Sequence, residues 1–162
     1  MTSETKFAAV RLRRTIPAPP REVYRAWLEP ALLQRWMAPG RLEVKRAEVD
    51  ARVGGHLRIW HADAGSDVGG FDCEIVELVP DERLVFRWGF VGPDRTGPVY
   101  DSRLTIMLEA AAGNATTLTL VHERLDVLAA ALPDVAKNVE AGWDLALDKL
   151  FLAVARASQK EI

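Results

Sequence analysis

Residues 134–156, D-V-A-K-N-V-E-A-G-W-D-L-A-L-D-K-L-F-L-A-V-A-R, constrain the fold more than any other stretch of the chain. Val135, Val139, Gly142, Trp143, Ala146, Leu147, Leu150, Phe151, Val154 and Ala155 recur with a period near 3.6 and so form one apolar stripe of a helix. Leu145 and Leu152 widen that stripe, while Glu140, Asp144 and Asp148 line up on the other side. Like charges four apart disfavour a helix, which places them in water or beside arginines from elsewhere in the chain. Pro133 and Asp134 supply a start signal, with Asp134 able to cap free N–H groups. Such a helix is about 33 Å long. A rod with so broad an apolar side needs an equally broad surface to lie on.

The rest of the chain supplies that surface. From residue 42 to 123 the pattern alternates, predicting strands over 42–51, 55–62, 70–79, 83–91, 99–109 and 115–123, preceded by a strand over 6–16. The connections among them, including loops at 62–70 and 91–98, suit antiparallel neighbours and are too short for parallel crossovers. Leu84, Phe86, Trp88 and Phe90 share a face, as do Leu104, Ile106 and Leu108, and Leu118, Leu120 and His122. After the first strand, P-A-P-P at 17–20 leads into two short helices, Arg21–Leu28 and Ala31–Met37, separated by Pro30. The expected fold is α+β: a curved, six- to seven-stranded antiparallel sheet wrapped around the long C-terminal helix, with two short helices after the first strand. One domain spans 1–162, with an ordered core of about 6–158.

Composition narrows the function classes. The net charge is -2 with both signs interspersed, so no electrostatic footprint for nucleic acid is present. Arg11, Arg13 and Arg14 form the one local excess and read as a solvated strand face. The single cysteine, Cys73, cannot form an internal disulfide. No stretch has the apolar length of a membrane span and the N-terminus lacks a signal-peptide pattern, so the expected location is cytoplasmic.

Trp36, Trp60, Phe71, Phe86, Trp88, Phe90 and Trp143 are more rings than a dry core of this size requires. A twisted sheet can close on the helix at one end and stand away at the other. The gap would be an aromatic-lined pocket for a small apolar ligand, with Leu147 and Cys73 in its wall and His61, His122 and Arg103 orienting any polar end. His61 and His122 have inward parity and are also the candidate acid and base, whereas His56 faces out. Asp101 and Arg103 share parity and are placed to pair near the loops. No nucleophile elbow, phosphate loop or metal-ligand spacing occurs, so neither a cofactor nor a metal is expected.

The order of I-P-A-P-P-R-E-V-Y-R-A-W, L-L-Q-R-W-M-A-P, V-D-A-R-V-G-G-H-L-R-I, E-I-V-E-L-V-P-D-E-R-L-V-F-R-W, T-T-L-T-L-V-H-E-R-L and G-W-D-L-A-L-D-K-L resembles the START-related superfamily. Within it, the branch homologous to the C-terminal domain of the activator of heat-shock protein 90 ATPase is most similar, over about residues 8–156. The resemblance implies a helix-grip fold with a cavity between sheet and helix. It also implies binding of a lipid, polyketide or aromatic-like molecule, or alternatively a cyclase- or hydratase-like enzyme using a cavity histidine. A third implied role is a chaperone- or stress-related interaction module. Chaperone contact ranks below the ligand, because the namesake docks with a separate N-terminal domain that is not read here. The expected assembly is a monomer or homodimer.

Overall fold

The computed structural model describes residues 9–93, 95 and 97–160. The first strand, β1 (Ala9–Ile16), is followed by α1 (Pro20–Ala26) and α2 (Pro30–Trp36). Strands β2 (Glu43–Val49), β3 (His56–Asp63), β4 (Ser66–Val79), β5 (Arg83–Val91), β6 (Tyr100–Ala111) and β7 (Ala115–Glu123) come next. The chain then forms α3 (Asp126–Ala131), α4 (Pro133–Lys137) and α5 (Val139–Lys160). Residues 6–8, expected to open the first strand, lie outside the described residues.

All seven strands belong to one antiparallel sheet in the order β1-β7-β6-β5-β4-β3-β2. The meander from β2 to β7 needs only short turns, and β1 then closes against β7 with Leu12 opposite Leu120. Leu84, Phe86, Trp88, Leu104, Ile106, Leu108, Leu118 and Leu120 are buried on the concave side, as their alternation requires. Against them lie Val139, Trp143, Ala146, Leu147, Leu150, Ala153 and Val154 of α5, also buried. Burial of this kind contributes roughly 25 cal/mol for each Å² of apolar surface removed from water. The acidic side of α5 meets Arg14 of β1, which donates to Asp144 and Asp148. Arg11 and Arg13 face solvent.

The sequence reading of the terminal helix is corrected at three points. The terminal helix does not run unbroken from 134: α4 ends at Lys137, and the backbone of Asn138 (φ -101°, ψ 8°) interrupts the helix before α5 begins. Asp134 lies inside the first turn of α4 and makes no capping bond, because Pro133 already occupies the first helical position. The apolar stripe is also narrower than expected, since Val135, Leu145, Phe151 and Leu152 are exposed.

The anticipated loop at 62–70 is in fact a two-residue hairpin. Asp63 pairs with Ser66 across Ala64 and Gly65, both with positive φ (51° and 89°). That geometry matches the twist of the flanking strands. It extends β4 by four residues beyond its expected start at 70.

Gly142 sits within α5, where a methyl group would meet Pro39 Cβ at 3.7 Å, an ordinary contact. Gly142→Ala should therefore raise stability by about 0.5–1 kcal/mol through helix propensity, read as a higher denaturant midpoint. A lower midpoint would show that α5 needs the glycine for close packing.

Candidate functional site

The aromatic layer between sheet and helix divides into two halves. In one, Trp27 of the α1 end stacks edge-on with Trp36 at 4.7 Å and approaches Phe86 at 6.3 Å and Trp143 at 5.9 Å. All but Trp143 are fully buried, and Trp36 Nε1–H donates to the Ala26 carbonyl at 2.9 Å. That end is solid.

In the other half the rings border a hollow of about 740 Å³. His61, Phe71, Trp88, Phe90 and Trp143 form its aromatic wall, linked by ring contacts of 4.9 Å (His61–Phe71), 4.8 Å (Phe71–Trp88), 5.6 Å (Phe71–Phe90) and 5.5 Å (Trp88–Trp143). Met37, Ala38, Val139 and Ala146 complete the buried floor, and exposed Val68, Pro93, Gly97, Pro98, Leu132 and Val135 form the rim. The polar lining comes from His61, Tyr100, Asp134 and Asn138.

Of the residues picked from sequence, five therefore lie on the hollow: His61, Phe71, Trp88, Phe90 and Trp143. Trp36, Cys73, Phe86 and Leu147 are buried elsewhere in the core. Burial raises the Cys73 thiol well above its ordinary value, so it is a small apolar filler and not a nucleophile.

Trp60 and Arg103 are corrections. Trp60 alternates with inward Ile59 and His61, so it stands on the outer face, where Arg46 and Arg95 lie over its ring at 5.0 and 4.2 Å. Arg103 likewise alternates with buried Ser102 and Leu104, and its nearest acid is Glu123 at 4.0 Å. Asp101 pairs with Arg87 instead of Arg103.

His122 is held one layer behind the wall, stacked on Phe90 with planes 7° apart and centroids at 5.7 Å. Its tautomer follows from its partners. The Trp143 indole N–H donates to Nδ1 at 2.9 Å, so Nδ1 carries a lone pair. Ser102 Oγ donates its single proton to the Trp88 carbonyl at 2.9 Å, so at the 2.6 Å contact His122 Nε2–H must be the donor. Both ring nitrogens are thereby used inside the protein. His122 is not free to exchange a proton with a ligand; it fixes the orientation of Trp143.

His61 is different. It is buried, its Nε2 lies 2.8 Å from the Met37 carbonyl, and a carbonyl can only accept. The proton is therefore on Nε2. Nδ1 has no protein partner among the described residues and keeps its lone pair. Burial lowers the proton affinity of this ring, with further lowering from the charges of Lys149 and Arg95 and opposition from the Met37 bond.

The lining segments are tied down from both sides. Lys149 of α5 donates to the Leu42 carbonyl at 3.0 Å, so Met37–Leu42 is fastened at one end by His61 and at the other by Lys149. Across the hollow, Arg95 donates to the carbonyls of Ile59 at 2.8 Å and Phe71 at 2.7 Å, anchoring the connection between β5 and β6. Sequence reasoning missed the segments 37–42 and 132–138 as lining. Their signals were the apolar residues flanking the two prolines, Met37, Ala38 and Leu42 around Pro39 and Leu132 and Val135 around Pro133.

Residues 17–154 match the family described as Activator of Hsp90 ATPase homolog 1-like protein, and the chain belongs to it. Among solved structures, protein CV1439 from Chromobacterium violaceum is 31% identical, with 91% of this chain and 96% of that chain covered and a TM-score of 0.70. Protein NE0264 from Nitrosomonas europaea shares the fold at 20% identity, with coverage of 94% and 97% and a TM-score of 0.76. DynU16, described as a protein in the dynemicin biosynthetic locus, is 26% identical, with 91% of this chain and 47% of that chain covered and a TM-score of 0.63. No curated protein matches the chain. No helix among the described residues is long and apolar enough to cross a membrane.

Burial depresses His122 to about 3. A histidine whose folded-state value lies below its unfolded value near 6.5 contributes stability that is present above about pH 6.5 and lost as pH falls toward 3. His122 alone should therefore account for a loss of about 1 kcal/mol between about pH 6.5 and about pH 5.5 in denaturant titrations, on top of what buried His61 adds in the same direction. His122→Gln, which keeps an acceptor for Trp143 and a donor for Ser102, should show a shallower dependence. Equal slopes would remove His122 as the source.

Proposed function

We propose that this protein binds a small hydrophobic or amphipathic molecule in the hollow between the sheet and α5, and that it acts in the cytoplasm. The observation that carries the reading is the hollow itself. At about 740 Å³ it falls within the roughly 300–1,000 Å³ typical of small-molecule sites, with a wall mostly of aromatic and aliphatic side chains and few polar groups. A fully packed core would have no such volume, because protein interiors leave few voids larger than water. The similarity to a protein of a biosynthetic locus is in keeping with a lipid-, polyketide- or aromatic-like ligand. The lone buried thiol of Cys73 is in keeping with a reducing compartment.

One observation favours a second reading, an enzyme of the cyclase or hydratase kind. The unpaired Nδ1 of His61 is a neutral base at the wall of the hollow. The first reading takes precedence because His122, the other half of an acid–base pair, has both nitrogens committed elsewhere. Turnover lost on replacing His61, in a protein that remains folded and still binds the substrate, would reverse that order.

A panel of apolar and aromatic molecules tests the binding reading by thermal shift, since a ligand at 100 times its Kd adds about 2.7 kcal/mol. Ala146→Phe, which projects a ring into the hollow from α5, should leave the protein folded and abolish the shift. Shifts that persist unchanged in Ala146→Phe would place the ligand elsewhere. No shift with any molecule, together with no small molecule carried through native purification by mass spectrometry, would overturn the reading.

A further inference from the structure

Resting on the reading of the hollow as a ligand site, we infer that the ligand is uncharged and carries a hydroxyl group, which donates its proton to Nδ1 of His61.

The inference comes from an inventory of polar atoms on the wall. Trp143 N–H is consumed by His122, and Asn138 Nδ2 donates to the Asp134 carbonyl at 2.8 Å. What these groups leave for a ligand is weighted toward acceptors: His61 Nδ1, the Asn138 side-chain oxygen and the Asp134 carboxylate, against the second Asn138 Nδ2 proton. The Tyr100 hydroxyl can act either way. Trp88 Nε1–H has no partner, but it is sealed beneath the surface and lies out of reach of a ligand in this conformation.

The wall therefore asks for a donor, and its depth selects which kind. Asp134 and Asn138 belong to the α4 side near the exposed rim, whereas His61 is buried on the floor beside Phe71. An apolar ring system seated against Phe71, Trp88 and Trp143 would bring its polar end to His61. A carboxylate there would set two acceptors against each other, and Lys149 and Arg95, whose charges reach His61, stand outside the lining and do not meet it directly. An ammonium would have three protons for one lone pair, in a position already facing the charges of Lys149 and Arg95. A hydroxyl supplies the one proton required. A methyl ether of the same shape supplies none.

The test uses three probes with one skeleton: a phenanthrene bearing a hydroxyl, a methoxy or a carboxylate group at the same ring position. Binding is followed at neutral pH by quenching of tryptophan fluorescence in the intact chain. Wild-type protein should bind the hydroxyl probe about tenfold more tightly than the methoxy probe, the size of one good neutral hydrogen bond. The carboxylate should bind more weakly than both. His61→Phe, which keeps a ring against Phe71 but has no lone pair, should bind the hydroxyl and methoxy probes equally. If that variant fails to fold, the three-probe comparison in wild-type protein decides alone.

Equal binding of the hydroxyl and methoxy probes, or tighter binding of the carboxylate, would overturn the inference while leaving the hollow as a binding site. Failure of all three probes to bind would overturn the site reading and this inference with it.

Discussion

The contact between the concave face of the sheet and the buried stripe of α5 is the constraint from which the other features follow. An antiparallel sheet with one apolar face must cover that face, and among the described helices α5 has the length to do so. Yet the helix is not uniform along its length. Toward its C-terminal half the buried positions are Leu147, Leu150, Ala153 and Val154, which belong to the same core as Trp27, Trp36 and Phe86. Toward its N-terminus the facing positions are Val139, Gly142, Trp143 and Ala146, and two of these four are too small to reach the sheet. The hollow is thus encoded as missing volume. It lies where glycine and alanine stand on α5 in place of leucine, beside the Met37–Pro39 exit from α2.

Trp143 stands at the boundary between the solid and the open halves. A large ring beside empty volume would gain rotamer freedom unless something held it, and disorder there would blur the wall. The chain Trp143–His122–Ser102–Trp88 carbonyl supplies the restraint, with each donor meeting one acceptor. Buried polar networks are costly when half satisfied and rigidifying when complete. This one is complete, which accounts for a fully buried histidine in an otherwise apolar layer. The same saturation separates the two inward histidines: His122 shapes the wall, and His61 is left with an open valence.

Much of this was legible in the sequence, for a physical reason. Period two and period 3.6 are backbone properties, so the seven strands, two early helices and terminal helix could be placed from alternation and from proline positions alone. What periodicity could not resolve was where a helix breaks. Asn138 interrupts an apolar pattern that continues on both sides of it, and no sequence spacing marks that interruption. Parity, applied strictly, would have done better at two positions. Trp60 and His61 are adjacent on one strand and cannot both face the hollow, and Arg103 cannot share a face with Leu104. Size and aromatic character suggested an inward Trp60; strand geometry turns it outward.

That outward tryptophan has a use of its own, opposite the site. Arg95 holds a backbone conformation with φ of 59°, which a residue with a side chain adopts only when its surroundings compensate the strain. The compensation is visible: two carbonyl oxygens accept from its guanidinium, and the Trp60 ring lies beneath it. Gly70 makes room for this arrangement, since a Cβ there would lie 3.3 Å from Arg95 Nη1 and only 2.0 Å from the Ile59 carbonyl oxygen. The connection that begins with Gly92 and Pro93 and ends with Gly97 and Pro98 is thereby clamped to the convex face of the sheet while its flanks line the concave side. A rim built of glycine and proline has little packing of its own, so its position depends on that clamp. The position of that rim is accordingly fixed from the far side of the sheet, by residues that do not line the hollow.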